Sequence, residues 1–257
     1  MTIASDTWFM IGRQIRNLLR QPIWIALLLI QPMIWLLLYG QLFKRVVALP
    51  GFGDVKYVAF LAPGIVIMNG FFGAMWGGMA MINDLDRRVV ERFLATPVSR
   101  LSIVLSQIVR TSLTSAIQAL IILLVSLALG VRVHAGVLGW LAVLAASALV
   151  GTAFGGISHG IALLLRREES MIGVANFLGL PLLFLSSALL ASASIPHWMR
   201  WLSRFNPVNW GVVAAREPVL PGTDWGSVGF HLGLLAALSV VTAGFATWAF
   251  RVYQRTL

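Results

Sequence analysis

The chain has 257 residues, of which 59% are apolar and 11% charged, with 19 Lys and Arg against 9 Asp and Glu and a net charge of +10. With a mean hydropathy of +0.88, this excludes an ordinary soluble domain, where roughly a quarter of residues are charged, and makes lipid the solvent for most of the surface. The absence of cysteine excludes disulfide frameworks and thiolate metal sites.

The first 22 residues read as an interfacial helix. Trp8, Ile11, Ile15, Leu18 and Leu19 recur at helical spacing, with Arg13, Arg16 and Arg20 mostly off that face. The apolar run after Pro22 lacks the small-residue cleavage site of a signal peptide. Six stretches free of Asp, Glu, Lys and Arg follow, at 21–43, 57–83, 111–131, 133–165, 170–199 and 225–250. Each can supply the roughly 20 mostly apolar residues that a helix needs to cross a bilayer, and none alternates as a barrel strand would. The expectation is a single all-α, polytopic membrane domain with six transmembrane helices.

An even number of spans leaves both termini on one side. That side carries Arg13, Arg16, Arg20, Arg87, Arg88, Arg92, Arg100, Arg110, Arg166, Arg167, Arg251 and Arg255. The other carries Lys44, Arg45, Lys56, Arg132, Arg200, Arg204 and Arg216. The richer side belongs in the cytoplasm. Basic residues scattered at the ends of spans favour anionic lipid headgroups, not nucleic acid, as the partner.

Two connections stand out. In the segment 84–100, Asn83 or Asp84 can cap a short amphipathic helix with Leu85, Val89, Val90, Phe93 and Leu94 on one face. Thr96 and Pro97 then cap and begin the third span. Such a helix is either a charged turn or a docking knob for a cytosolic partner. In the segment 194–224, Trp198, Trp201, Leu202 and Phe205 share a face opposite Arg200 and Arg204. Indole rings favour the membrane interface, so this reads as an outer-surface helix ended by Asn206-Pro207. The apolar residues 208–215 are too few to cross and re-enter the outer leaflet.

Four pairs of glycines recur at four-residue spacing: Gly73 with Gly77, Gly151 with Gly155, Gly156 with Gly160, and Gly229 with Gly233. Such pairs let helix backbones approach closely. Gly156-Ile157-Ser158-His159-Gly160 formally matches a serine-hydrolase elbow, but it sits in an apolar helical run with no acid nearby, so Ser158 reads as a small packing residue that alanine would replace. Asn69, Gln118, His159 and Asn176 lie at membrane depth, where polar groups line a substrate path or hydrogen-bond neighbouring helices. Pro181 can kink the fifth span. No phosphate-binding P-loop exists, since Lys44 and Lys56 are the only lysines, and no carboxylate lies within a span to drive an ion-coupled carrier.

Three motifs resemble the type-2 ABC transporter permeases, in the branch of daunorubicin-type drug exporters and nodulation-factor exporters. Arg16 through Pro22, with Pro32, Gly40 and Phe43, is similar to the family's interfacial helix and first span. Glu91-Arg92-Phe93-Leu94-Ala95-Thr96-Pro97-Val98-Ser99-Arg100 resembles its coupling segment. Ile195-Pro196-His197-Trp198, Asn206-Pro207 and Arg216 resemble its external signature, with Ile195 where leucine is more usual.

The resemblance implies a half-transporter with an N-terminal interfacial helix, a cytoplasmic coupling helix and an external re-entrant segment. It would sit in the cytoplasmic membrane of a bacterium and pair with a second permease copy or homologous permease. A separate ABC ATP-binding subunit would bind the ATP, so this chain holds no cofactor, metal or catalytic residue of its own. Val89, Val90, Glu91, Arg92, Phe93, Leu94, Thr96, Pro97 and Arg100 would face that subunit. Pro196, Trp198, Trp201, Asn206, Pro207 and Arg216 would form the outer gate. The implied cargo is a hydrophobic or amphipathic drug or lipid-like molecule. The alternatives are a lipid-linked polysaccharide or glycolipid exporter and, in another class, an intramembrane hydrolase built on Ser158 and His159.

Overall fold

The computed structural model describes residues 22–42, 57–87, 100–189 and 196–255. The N-terminal helix expected over 1–22 therefore lies outside the described residues, apart from its last position. The described residues form helices joined by turns, with no strand among them. In chain order these are α1 (Pro22–Leu42), α2 (Tyr57–Asp86), α3 (Arg100–Ala128), α4 (Gly136–Leu165), α5 (Glu168–Phe184), α6 (His197–Ser203), α7 (Pro207–Arg216) and α8 (Trp225–Gln254).

Helices occupy all six apolar stretches. Four of them, α2, α8, α4 and residues 104–128 of α3, are long and apolar enough to cross a membrane. The helix at the first stretch has 21 residues, and that at the fifth only 17. Helix α4 is the hub, packed against α2, α3, α7 and α8. One end of the bundle gathers Tyr57, the α3–α4 turn, residues 185–189 and α7. The opposite end gathers Asp84, Gln107, Arg166 and Tyr253.

Two boundaries differ from expectation. The fifth stretch is not one helix over 170–199: α5 ends at Phe184 and the chain turns through Leu185–Leu189. The Leu185 N–H still reaches Pro181 O at 2.9 Å, but the next N–H, that of Ser186, falls back to Leu183 O at 3.0 Å, and the Ser186 hydroxyl donates to the same carbonyl at 2.6 Å. Serines that bond nearby backbone compete with helix in this way. At the other boundary, Asn83 and Asp84 do not cap a new helix. They form the last turn of α2, where the Asn83 amide donates to Met79 O at 3.1 Å.

Small residues set the helix spacing, though not every expected pair does so. Gly151 and Gly155 of α4 lie against Ser115 and Thr111 of α3, and Gly156 and Gly160 against Thr242 and Phe245 of α8. Gly229 and Gly233 have nothing within 4 Å of an added Cβ. On α2 the close approach is made by Gly78, where an added Cβ would stand 2.7 Å from both oxygens of Ser158. Where backbones come this near, hydroxyls tie them together. Ser112 donates to Ala148 O at 3.1 Å and Ser147 to Ser115 O at 3.1 Å. Phe71 and Phe154 meet edge-on at 4.5 Å in the core between α2 and α4.

Ser158 does more than occupy little space. Its hydroxyl donates to Met75 O at 2.6 Å and accepts from Gly78 N–H at 2.9 Å, so one buried oxygen staples α4 to two backbone groups of α2. Alanine would remove both of these cross-helix bonds and leave the two backbone groups to the ladder of α2. Ser158→Ala should lower stability by about 1 kcal/mol through the lost cross-helix hydrogen bonds, read as a lower melting temperature of the purified protein in lipid nanodiscs. An unchanged melting temperature would mean that the small side chain alone suffices.

Candidate functional site

The end of the bundle at which α5 breaks poses a problem of physical chemistry. The turn through 185–189 leaves the helical ladder, and in a bilayer every freed backbone group must find a partner inside the protein. Helix α7 supplies those partners. Asn206 caps it, accepting from Val208 N–H at 2.9 Å, with Pro207 at the first helical position. The same side chain donates its amide to Leu182 O at 2.6 Å. One turn on, Asn209 Oδ1 accepts from the Ser187 backbone N–H at 3.0 Å and from the Ser187 hydroxyl at 2.8 Å.

Arg216, in the last turn of α7, completes the junction. It is 8% exposed. Its Nε donates to Phe60 O at 3.1 Å, one terminal nitrogen to Ser187 Oγ at 3.3 Å and the other to Ala188 O at 3.0 Å. The guanidinium carbon lies 3.7 Å from the centre of the Phe60 ring, a cation–π contact. From α2, the Tyr57 hydroxyl donates to Leu189 O at 3.2 Å. Gly64 admits the turn, because an added Cβ there would collide with the Ala188 carbonyl oxygen. One guanidinium thus holds the start of α2, the broken end of α5 and the end of α7 together. The acceptors are neutral oxygens, so the arrangement is a structural lock and not an acid–base site.

The lock brings together Asn206, Pro207 and Arg216 of the expected outer segment. Pro196, Trp198 and Trp201 stay on the surface, the two indoles 60% and 54% exposed. Trp201 packs edge-on against Phe205 at 5.2 Å. The residues that motif reading missed are Asn209, Ser187, Phe60 and Tyr57. Two signals pointed to them: Asn209 is the polar exception in the apolar run 208–215, and the pair Ser186-Ser187 follows Pro181 within a presumed span.

The intramembrane polar residues do not form one cluster. The Asn69 amide donates to Gln118 Oε1 at 3.1 Å, tying α2 to α3. His159 is fully buried in α4, its Nδ1 2.6 Å from Gly155 O. Asn176 is exposed on α5, and its amide donates to Ile172 O of the preceding turn at 3.0 Å. Residues Val89, Val90, Glu91, Arg92, Phe93, Leu94, Thr96 and Pro97 lie outside the described residues, and Arg100 is the first residue of α3. The two helices flanking that segment are joined directly: the Gln107 amide of α3 donates to Asp84 Oδ2 of α2 at 3.0 Å. Among the described residues no cluster of side chains could hold a metal ion.

The lock depends on the guanidinium fork. A lysine keeps the charge, but its single ammonium cannot reproduce a planar set of donors aimed at three acceptors on two chain segments. Arg216→Lys should cost ~1–3 kcal/mol through unpaired carbonyls. Thermal unfolding in nanodiscs checks this, and a melting curve matching the parent would contradict the fork's role.

Residues 5–220 match the model of the ABC-2 type transporter family. The chain is 29% identical to "Putative transport permease ycf38" of Cyanophora paradoxa over 84% of this chain and 73% of that one. It is 23% identical to the daunorubicin resistance ABC transporter permease protein DrrB1 of Streptomyces coeruleorubidus, over 98% and 87% of the two chains. With Nodulation protein J of Rhizobium meliloti (strain 1021) the identity is 27%, over 73% and 71%. An all-helical bundle with four helices able to cross a membrane and a family match over most of its length make this chain a multi-pass membrane transport permease that belongs to the ABC-2 type transporter family.

Proposed function

We propose that the chain is the transmembrane subunit of an ATP-driven exporter that moves a hydrophobic or amphipathic drug or lipid-like substrate across the cytoplasmic membrane of a bacterium. The observation that carries this reading is the family match over residues 5–220, and the likeness to a daunorubicin resistance permease favours an amphipathic drug as cargo. With no P-loop in the chain, ATP is bound and hydrolysed by a separate ABC ATP-binding subunit. A second copy of the permease, or a homologous one, completes the pathway.

Both termini and the Asp84 end of the bundle face the cytoplasm, as the arginine distribution favours. The segment 84–100 then meets the ATP-binding subunit through Val89, Val90, Phe93 and Leu94, flanked by Glu91, Arg92, Thr96, Pro97 and Arg100. The Asp84–Gln107 bond supports this role, because it closes the base of the segment and would make α2 and α3 move as a unit when the partner shifts. At the outer face, Pro196, Trp198, Trp201, Asn206, Pro207 and Arg216 form the gate. Asn69, Gln118, His159 and Asn176 contribute polar contacts to the substrate's route.

The coupling role gives a direct test. Truncating a docked aromatic costs an interface at least ~2 kcal/mol, roughly thirtyfold in affinity. Phe93→Ala should therefore reduce the ATP-binding subunit recovered per permease and the ATP-dependent export, with membrane insertion unchanged. The permease alone should hydrolyse no ATP. Full retention of binding and export by Phe93→Ala, or export driven by an ion gradient without the partner, would overturn the assignment.

A further inference from the structure

Helices α2 and α3 meet in a seam where Gly77 lies against Thr111. On each helix the residue after the seam turns to α4, Gly78 against Ser158 and Ser112 to the Ala148 carbonyl. Successive residues on a helix step by about 100°, so the residues before the seam, Trp76 and Arg110, turn to the side away from α4. Ala80 and Thr114, one turn along from each, flank them there. Trp76 is 39% exposed, and the other three are half-buried.

Arg110 is the one charged residue in the apolar span 104–128. The charge-free run that follows it, 111–131, has about the length that crosses a bilayer's hydrocarbon core. The guanidinium therefore sits where hydrocarbon gives way to headgroups, and indoles such as that of Trp76 favour the same depth. Arg110 is within electrostatic reach of Asp84, whose carboxylate accepts from the Gln107 amide at 3.0 Å. Among the described residues the guanidinium itself forms no hydrogen bond or ion pair. Further into the membrane this side of α3 is apolar, with half-buried Ile117 and 50% exposed Leu124 at heptad spacing from Arg110. A planar cation, an indole and then an apolar strip match the phosphate, the glycerol region and the acyl chain of a phospholipid, in that order.

We propose that Arg110 anchors the phosphate of an acidic phospholipid from the leaflet at the Asp84 end, with Trp76 beside the headgroup and an acyl chain along Ile117 and Leu124. The guanidinium fork can take two phosphate oxygens at once. An acidic lipid is favoured because a zwitterionic headgroup carries its own ammonium, which competes for the phosphate and meets Arg110 with like charge. Arg167 and Arg251 differ: they are exposed at helix ends and answer only the general surface potential of the membrane. The site fixes a lipid to the α2–α3 pair and does not rest on the transport reading.

The test uses the full chain, purified in mild detergent and stripped of lipid, then titrated with phosphatidylglycerol or with phosphatidylcholine of the same acyl chains. Native mass spectrometry counts the bound lipid. The parent should bind one phosphatidylglycerol clearly more tightly than phosphatidylcholine. Arg110→Gln should weaken that binding about tenfold, towards the phosphatidylcholine value, whereas Arg167→Gln should leave it unchanged. Should Arg110→Gln fail to fold, Arg110→Lys keeps the charge, loses the fork and should lower the phosphatidylglycerol affinity severalfold. Equal affinity of the parent for the two lipids, or an affinity for phosphatidylglycerol unchanged in the Arg110 variant that folds, would overturn the proposal and leave this face to a second copy of the chain or to cargo.

Discussion

A backbone carbonyl released from a helix inside a membrane protein must meet a donor from elsewhere in the chain, and at the broken end of α5 that requirement organises one whole end of the bundle. Asn206 answers Leu182, Arg216 answers Ala188 and Phe60, and Tyr57 answers Leu189. The position of α7 follows from these bonds. Its ten residues are too short to span, yet Val208, Val212, Ala214 and Ala215 are fully buried, because its polar side chains must reach α5 while its apolar ones fill the space between α2, α4 and α8. Gly64 and Gly211 are small where those contacts are closest.

The opposite end is built on another logic. There pairings between side chains do the joining: Asp84 with Gln107 across the base of the segment 88–99, and Arg166 over the Tyr253 ring at 4.8 Å. Arg166 also closes α4 in the left-handed conformation, at φ 54°, so that its backbone N–H reaches Ala162 O. Between the two ends, hydroxyls and amides link α2, α3 and α4, mostly through backbone carbonyls.

Much of this was legible in the residues. The six apolar stretches each hold a helix, because twenty apolar residues in a row have no better way to satisfy their backbone in lipid. The α4 glycines face α3 and α8 as their spacing implies. The break after Phe184 was less legible, since Leu, Ser and Ala in 182–191 are all compatible with a span, and only Pro181 and the serine pair hint otherwise. Hydropathy is blind to the hydrogen bond between Ser186 and Leu183 that helps end the helix. Arg216 was recognisable from a motif, but its partners are backbone carbonyls distant in sequence, and no side-chain pattern encodes those. Ser158 read as merely small because composition does not reveal that its hydroxyl meets two backbone groups of α2.

The central claim is that α7 is bonded to the broken end of α5, and a chain without cysteine allows a clean test. Ser187→Cys and Asn209→Cys, introduced together, place two thiols where the parent side chains lie 2.8 Å apart. After mild oxidation in native membranes, trypsin cuts at Arg200 and Arg204 and separates the two positions unless a disulfide joins them. The account predicts that mass spectrometry finds the joined peptides in the double variant and not in either single variant. Their absence under conditions that oxidise exposed thiol pairs completely would contradict it.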